Sequence, residues 1–537
     1  MRAAQIIDAD ICIYGGTAAG VAAAVQATRM GRTAVIAEFG NHLGGMTSGG
    51  LGATDIGNKD AIGGIAREFY HRVASYYARA EAWTLETPDD YFRTRYSRPT
   101  VPDLNAPEAT MWTFEPHVAE NILFAMLNEA KVPVYFQQRL EAVRRDGRRL
   151  AEIIGENGRV FRARMFIDAS YEGDLLAHAG ISYTVGREAN SRYGETLDGI
   201  RPQTPKHQFL LPVDPFVKPG DAASGVLPFV QGSALGSPGE GDRSVQAYNF
   251  RLCFTQNRSN RLPHAVPPDY DPARYELLAR YLETLVAAGK HPALTNLWNP
   301  VWMPNGKTDI NNNGAFSTDF IGENNEYPEA NYARRAALWQ AHEQYTRGFI
   351  YFLATSPRVP ENIRTEMQSW GPALDEFADS GGWPHQLYIR EARRMISDYV
   401  MTEHHCRGEI RAEDSIGLAA YTMDSHNCRR IARDGHAENE GDVQVGGFSP
   451  YPIAYRCVIP KRQECENVSV PVCLSATHIA YGSIRMEPVF MILAQSAATA
   501  SVQAINAGVS LQEVDYAKLG ERLRTDGQVL EWKGPLR

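Results

Sequence analysis

Histidine is the natural proton acceptor of a protein at neutral pH, and this sequence spreads its candidates along the chain. His478, in "SATHIAYGSIR", is read as a catalytic or substrate-orienting base; the blander role is a histidine satisfied by buried backbone groups. His426, in "YTMDSHN", is an intermediate case. His404 and His405 follow "VMTE" at a helix end, where capping the C-terminal dipole is the simpler role. Arg390, in "LYIREARR", is expected to hold an anionic or hydroxylated substrate, while Arg393 and Arg394 fit helix-face salt bridges as easily. "NGKTDINNNGAFSTDF" gathers Lys307, Asp309, Asn311, Asn312 and Asp319 with little apolar content. Such side chains bind polyols and carbohydrates, and they also build structured loops. Nearby Trp298 and Trp302 would offer flat faces to a sugar. The catalytic candidates are therefore His478, Arg485 and Arg390, and the substrate-binding ones Asn312, Asp319 and Trp302. No His or Cys pair has metal-ligand spacing, so no metal is expected.

Those side chains need a scaffold, and the first forty residues supply its clearest part. "DICIY" reads as an apolar strand, "AAGVAAAVQATRMG" as an Ala-rich helix closed by Gly31, and "TAVIAE" as a second strand ending in Glu38. Between strand and helix lies "IYGGTAAG", a G-x-G-x-x-G pattern with Gly15 and Gly20 in place and Thr17 at the middle glycine. An acid at the next strand end is the context that makes this a dinucleotide fingerprint. Gly15, Gly16, Thr17, Ala18 and Gly20 are assigned to a pyrophosphate at the helix N-terminus, and Glu38 to the ribose. Thr is a good N-cap, and Thr17 is expected within hydrogen-bonding reach of a phosphate.

The next stretch, "GNHLGGMTSGGLGATD", is dense in glycine and lets backbone lie against a flat, extended ligand. A nicotinamide enzyme does not need this second loop directly after its ribose acid, whereas an FAD protein does. His42, Gly44, Gly45, Met46 and Thr47 are assigned to FAD. His42 is also a candidate for covalent attachment of the flavin.

These stretches resemble the FAD-dependent oxidoreductases of the glutathione-reductase-like superfamily, with "YGGT-x-AG" followed by "HLGGM-x-x-GGLG-x-TD". "FIDASYEGDLLAHAGISYTVGREANSRYGE", "WPHQLYIREARRMISDYVMTE" and "LSATHIAYGSIRMEP" are similar to further signatures of that family, so the likeness covers nearly the whole chain. It implies bound FAD and redox chemistry, without naming a substrate. It also implies cofactor contacts at Leu140, Asp168 and Ala169, where the chain returns to the cofactor, and at Ser483 and Ile484 before the last helix. The strand carrying Arg139 and Leu140 would face the adenine. Two departures stand out: Pro471 and Val472 replace a usual Gly-Arg, and Ala494 and Ala498 replace glycines of the last helix.

The expected fold is α/β: a Rossmann-type, three-layer FAD-binding domain with an inserted α+β substrate domain. The expected division is 1–190 for the first part of the FAD domain, 191–440 for the insertion, and 441–537 for the return strands and final helix. No second fingerprint for NAD(P)H is present. The 537 residues are 44% hydrophobic and 22% charged. A net charge of −9 argues against nucleic acid or an anionic membrane as partner. Seven cysteines without C-x-x-C suit a reduced, cytoplasmic chain, and the early first strand leaves no room for a signal peptide. Pro488–Gln512 reads as a buried core helix. The function expected is hydride removal from a polar, sugar-like or hydroxylated small molecule by FAD, with oxygen, a quinone or a protein as electron acceptor. The rivals are a flavin monooxygenase and a non-redox FAD isomerase. Neither W-x-W-x-I-P nor a convincing aromatic-hydroxylase DG motif supports the first, since Asp146-Gly147 reads as a hairpin turn.

Overall fold

A computed structural model describes residues 5–98, 100–202, 204–232 and 235–535. Strand β1 (Ile6–Tyr14) leads through the glycine loop into helix α1 (Ala18–Arg29), and β2 (Ala34–Ala37) returns parallel to β1, with Tyr14 level with Ala37. This is the β-α-β unit that the glycine spacing announces. The second half of β1, from Ile11 to Tyr14, is buried on both faces. Ile11 and Ile13 join one apolar cluster, and Cys12 and Tyr14 join another, as the period of two requires. A parallel strand covered on both sides reads as an unbroken apolar run, which is why "DICIY" shows no alternation.

The other strands of this sheet are β3 (Val134–Tyr135), β4 (Leu140–Asp146), β5 (Arg149–Gly155) and β6 (Val160–Asp168). They are laid out in the order β3-β2-β1-β6-β5-β4. β1, β2, β3 and β6 run parallel, while β4 and β5 form an antiparallel hairpin on β6, with Asp146 and Gly147 at its turn. β6 is shared. Its first half pairs with β5, and its second half pairs in parallel with Val468–Ser469 from near the end of the chain. The sheet is thus completed only after a long excursion.

Within that excursion a four-stranded antiparallel sheet orders Trp298–Met303, Lys307–Asn312, Leu252–Thr255 and Gly371–Pro372. One apolar cluster runs through both regions, from Ile13 through Phe254 and Trp298 to Ile492. The long helix Glu487–Ala507 packs along α1, and small side chains on both allow the close approach. It is the one helix among the described residues long and apolar enough to cross a membrane, and 94% of its most apolar stretch is buried inside the protein. It ends at Gly508, whose φ of 68° closes it in the left-handed conformation. Ala494 and Ala498 are fully buried within it. The chain is a Rossmann-type three-layer α/β fold with a large inserted region. All seven cysteines are buried and free.

Candidate active site and cofactor cleft

Gly15 follows β1 with φ of 106°, a conformation that favours glycine. A Cβ there would lie 2.8 Å from the Ala169 backbone, so the turn after β6 presses directly on this loop. A Cβ on Gly20 would lie 2.0 Å from the Gly15 carbonyl oxygen, which explains the third glycine of the motif. Thr17 caps α1: its Oγ1 accepts the Gly20 N–H at 3.2 Å and donates to the Ala169 carbonyl at 2.8 Å. The hydroxyl proton is therefore taken, which leaves a phosphate to the backbone N–H groups of the helix start. Glu38 accepts from the Gly16 and Gly40 N–H groups. Burial pushes its pKa up to about 7 against the pull of those bonds, and its remaining lone pairs suit ribose hydroxyls. A cleft of about 900 Å³ opens beside Gly40, His42, Arg139 and Tyr332. A glycine-lined crossing, a buried acid and an adjoining cleft fit FAD.

The second glycine loop lies beside the first. Gly44 donates its N–H to the Gly16 carbonyl at 2.7 Å, and Thr17 and Gly44 pair as an isolated parallel bridge. Gly44 and Gly45 take φ of 95° and 54°. The Met46 N–H donates to the Tyr171 hydroxyl at 2.9 Å, and Thr47 and Tyr171 donate to Glu487 at 2.6 and 2.8 Å. Burial raises the Glu487 pKa to about 7 despite those two bonds. Glu487 is the first residue of the last long helix, where the helix dipole favours a carboxylate. Tyr171 and Glu487 are functional candidates that sequence reasoning missed, although both stand inside quoted motifs.

The other cofactor candidates are buried or already bonded within the chain. Asp168 spends its carboxylate on its own turn, accepting from the Ser170 N–H and hydroxyl and from the Leu176 N–H. Leu140 is buried, and its N–H donates to the Tyr14 and Tyr332 hydroxyls at 3.2 and 3.0 Å. Ser483 bonds the Tyr421 carbonyl and Tyr451, and Ile484 is fully buried. His42 lines the cleft, with Nδ1 on Glu120 at 3.1 Å, Nε2 on Asp379 at 2.9 Å, and its ring stacked on His385. Both of its nitrogens are engaged, which disfavours the covalent role.

A second cavity, of about 230 Å³, is almost wholly polar; Asp55, Arg98, Arg251, Tyr388, His426 and Arg485 are among its walls. Arg251 makes a two-pronged pair with Asp309, both bonds 2.7 Å. Arg485 reaches Asp424 at 3.2 Å. His426 holds Asp319 at 2.8 Å through Nδ1, while its Nε2 is 3.7 Å from Asp424. Burial and the Arg390 charge push the His426 pKa down, but Asp319 and Asp424 outweigh them and the net shift is upward. Burial would raise Asp424, yet His426, Arg485 and Arg390 hold it well below the usual carboxylate range. In its neutral form His426 donates Nδ1–H to Asp319 and keeps the Nε2 lone pair.

Of the three catalytic candidates, only Arg485 lines this cavity. Arg390 is buried just behind it, 3.0 Å from Asp319 and 3.3 Å from Asn311. His478 is not brought there. Its Nδ1 meets Glu391 at 2.8 Å and its Nε2 meets Ser425 at 2.9 Å, so both nitrogens are satisfied in the interior. Asn312 and Trp302 also miss the cavity, because strand alternation turns them to the opposite face from Asn311 and Asp309. Trp302 instead lies under the Arg95 guanidinium, at 4.5 Å. Asp319 stands one step back, bonded to His426. Among the residues that do face the cavity, one pair carries a weak signal, polar side chains two apart: Asp424 with His426.

Glu115, His117 and Glu376 bring potential metal-ligating atoms within 4.8 Å of one another. The Lys307 ammonium already bridges Glu115 at 2.8 Å and Glu376 at 2.7 Å, so the two carboxylates share a cation that the chain itself supplies.

Comparison with known proteins agrees with the cofactor cleft. No curated protein matches the sequence. Among solved structures, a 3-ketosteroid-Δ4-(5α)-dehydrogenase from Rhodococcus jostii RHA1 is similar at 15% identity, over 32% of this chain and 48% of that one, with a TM-score of 0.21. An L-amino acid deaminase from Proteus vulgaris is similar at 13% identity, over 35% and 54%, with a TM-score of 0.24. A flavin-containing monooxygenase from Stenotrophomonas maltophilia is similar at 17% identity, over 34% and 43%, with a TM-score of 0.19. The chain spans about half the length of these structures, and likeness this partial says nothing of the reaction. The family model described as FAD dependent oxidoreductase matches residues 10–523. The chain belongs to that family of FAD-dependent oxidoreductases.

Proposed function

We propose that this enzyme oxidises a small polar substrate held in the cavity among Asp55, Arg251, His426 and Arg485. His426 carries the reading. It is the histidine among the described residues that lines the cavity, and Asp319 fixes its Nδ1 while its Nε2 makes no hydrogen bond to a described residue. Bound FAD supplies a two-electron acceptor for a substrate hydride. For an alcohol, His426 Nε2 would take the hydroxyl proton as the carbonyl forms. Asp319 stabilises the imidazolium so formed. Arg485 and Arg251 offer hydrogen bonds to the substrate oxygens, and Arg390 holds Asp319 and Asn311 in place. The electron acceptor would be oxygen, a quinone or a protein.

The test is anaerobic addition of polyols, sugars and hydroxy acids to the flavin-loaded protein. Bleaching of the visible flavin band is expected. A protein that neither copurifies with flavin nor takes it up overturns the reading. Bleaching by NADPH without substrate would assign a monooxygenase, and turnover at constant flavin redox state an isomerase.

A further inference from the structure

Apart from His426 Nε2, most uncommitted polar groups on the small cavity are donors. Arg98 lines it and forms no ion pair with a described residue; its bond there runs from Nη2 to the Thr54 carbonyl, at 2.7 Å. Arg251 gives Nε and Nη2 to Asp309 and leaves Nη1 3.9 Å from Asp55, beyond hydrogen-bond reach. Arg485 uses Nη2 on Asp424, and its buried Nε has no partner. The Asn311 oxygen accepts from Asn249 and Arg390, which leaves its amide N–H groups to the cavity it lines. The carboxylates of the wall each have a partner, Asp424 in Arg485 and Asp55 in the Tyr421 hydroxyl at 3.3 Å.

Donors in surplus call for a ligand group that only accepts, and an ionised carboxylate is such a group, matched to the guanidinium fork. Of the three guanidiniums on the wall, Arg251 is paired with Asp309 and Arg485 with Asp424, so Arg98 is the one without an ion pair among the described residues. A cavity of about 230 Å³ is below the usual range of drug-sized pockets and suits a small metabolite.

We propose that the substrate is a small hydroxy acid whose carboxylate is held by Arg98, Arg251 and Arg485, with its hydroxyl toward His426. This rests on the cavity being the substrate site, as read above. The flavin-loaded enzyme is titrated calorimetrically with D-glycerate and D-glucuronate, with glycerol and D-glucose as uncharged counterparts, and with inorganic phosphate. At least one acid should bind about tenfold or more tighter than its uncharged counterpart, the effect of one charge-assisted bond. Arg98→Gln should weaken that acid by roughly tenfold to a hundredfold with flavin content and binding of the uncharged counterpart unchanged, and Arg98→Lys should recover part of the loss. Should Arg98→Gln fail to load flavin, the comparison of acid with counterpart on the unaltered enzyme decides. Equal binding of acid and counterpart, tighter binding of phosphate than of either acid, or no acid binding overturns the assignment. If a neutral polyol bleaches the flavin while no acid binds, this inference fails and the oxidation reading stands.

Discussion

The cofactor cleft and the small polar cavity are built by opposite means. At the cleft, backbone does the work: Gly15, Gly44 and Gly45 take positive φ, Gly16 and Gly44 join the two loops, and Glu38 is held by two backbone N–H groups. Its key residues come from two short, adjacent stretches. At the cavity, side chains do the work, and they arrive from positions as distant as Asp55, Arg251, Tyr388, His426 and Arg485. A ligand of constant shape can be met by fixed backbone geometry. A particular substrate is selected by charged side chains, which can be exchanged without rebuilding the fold. Substitutions in the cleft should therefore cost flavin, and those in the cavity should cost turnover while flavin stays.

The largest effect expected is on the cavity side. His426→Asn should retain FAD but slow flavin reduction by about 10²- to 10⁴-fold, the usual contribution of a positioned acid-base group, as stopped-flow absorbance would measure. Loss of flavin from this variant would erase the distinction between the two regions. Next, Arg251→Met leaves the fully buried Asp309 without its partner. A cost of about 3–5 kcal/mol in urea unfolding is expected, and an unchanged midpoint would show that the pair does not brace the wall. On the cleft side, Gly15→Ala places a Cβ against the Ala169 backbone at a positive φ. About 1–3 kcal/mol of strain is expected, read as a lower melting temperature and a lower flavin-to-protein ratio.

That contrast also explains what the sequence made legible. The β-α-β unit, Glu38 and the second glycine loop could be read because each rests on local spacing. The core role of Glu487–Ala507 could be read from its composition. His478 stands away from the cavity because chain proximity to Arg485 does not say which way a helix faces; Glu391 and Ser425, which bond it, lie far off in sequence. Asn312 and Trp302 were chosen by polarity and by aromatic character, without the strand period that turns them away from Asn311. Arg98 and Arg251 carried no local signal, and only the folded chain brings them beside Arg485.

The smallest effect expected is a shift in pH dependence. His426 must be neutral to accept a proton, and its pKa is raised above the ordinary histidine value by Asp319 and Asp424 against burial and Arg390. The rate of flavin reduction should then fall as pH drops through that raised value. Asp319→Asn removes one of the raising charges and should move the falling limb to lower pH. A limb unmoved in this variant would separate Asp319 from the proton transfer.

The most direct measurement is anaerobic flavin reduction by D-glycerate, D-glucuronate, glycerol and D-glucose in three proteins: the unaltered enzyme, His426→Asn and His478→Asn. At least one probe should bleach the unaltered enzyme, with His478→Asn within about tenfold of it and His426→Asn slower by about a hundredfold or more. Bleaching by none of the probes, or reduction of His426→Asn at the unaltered rate, would contradict the account.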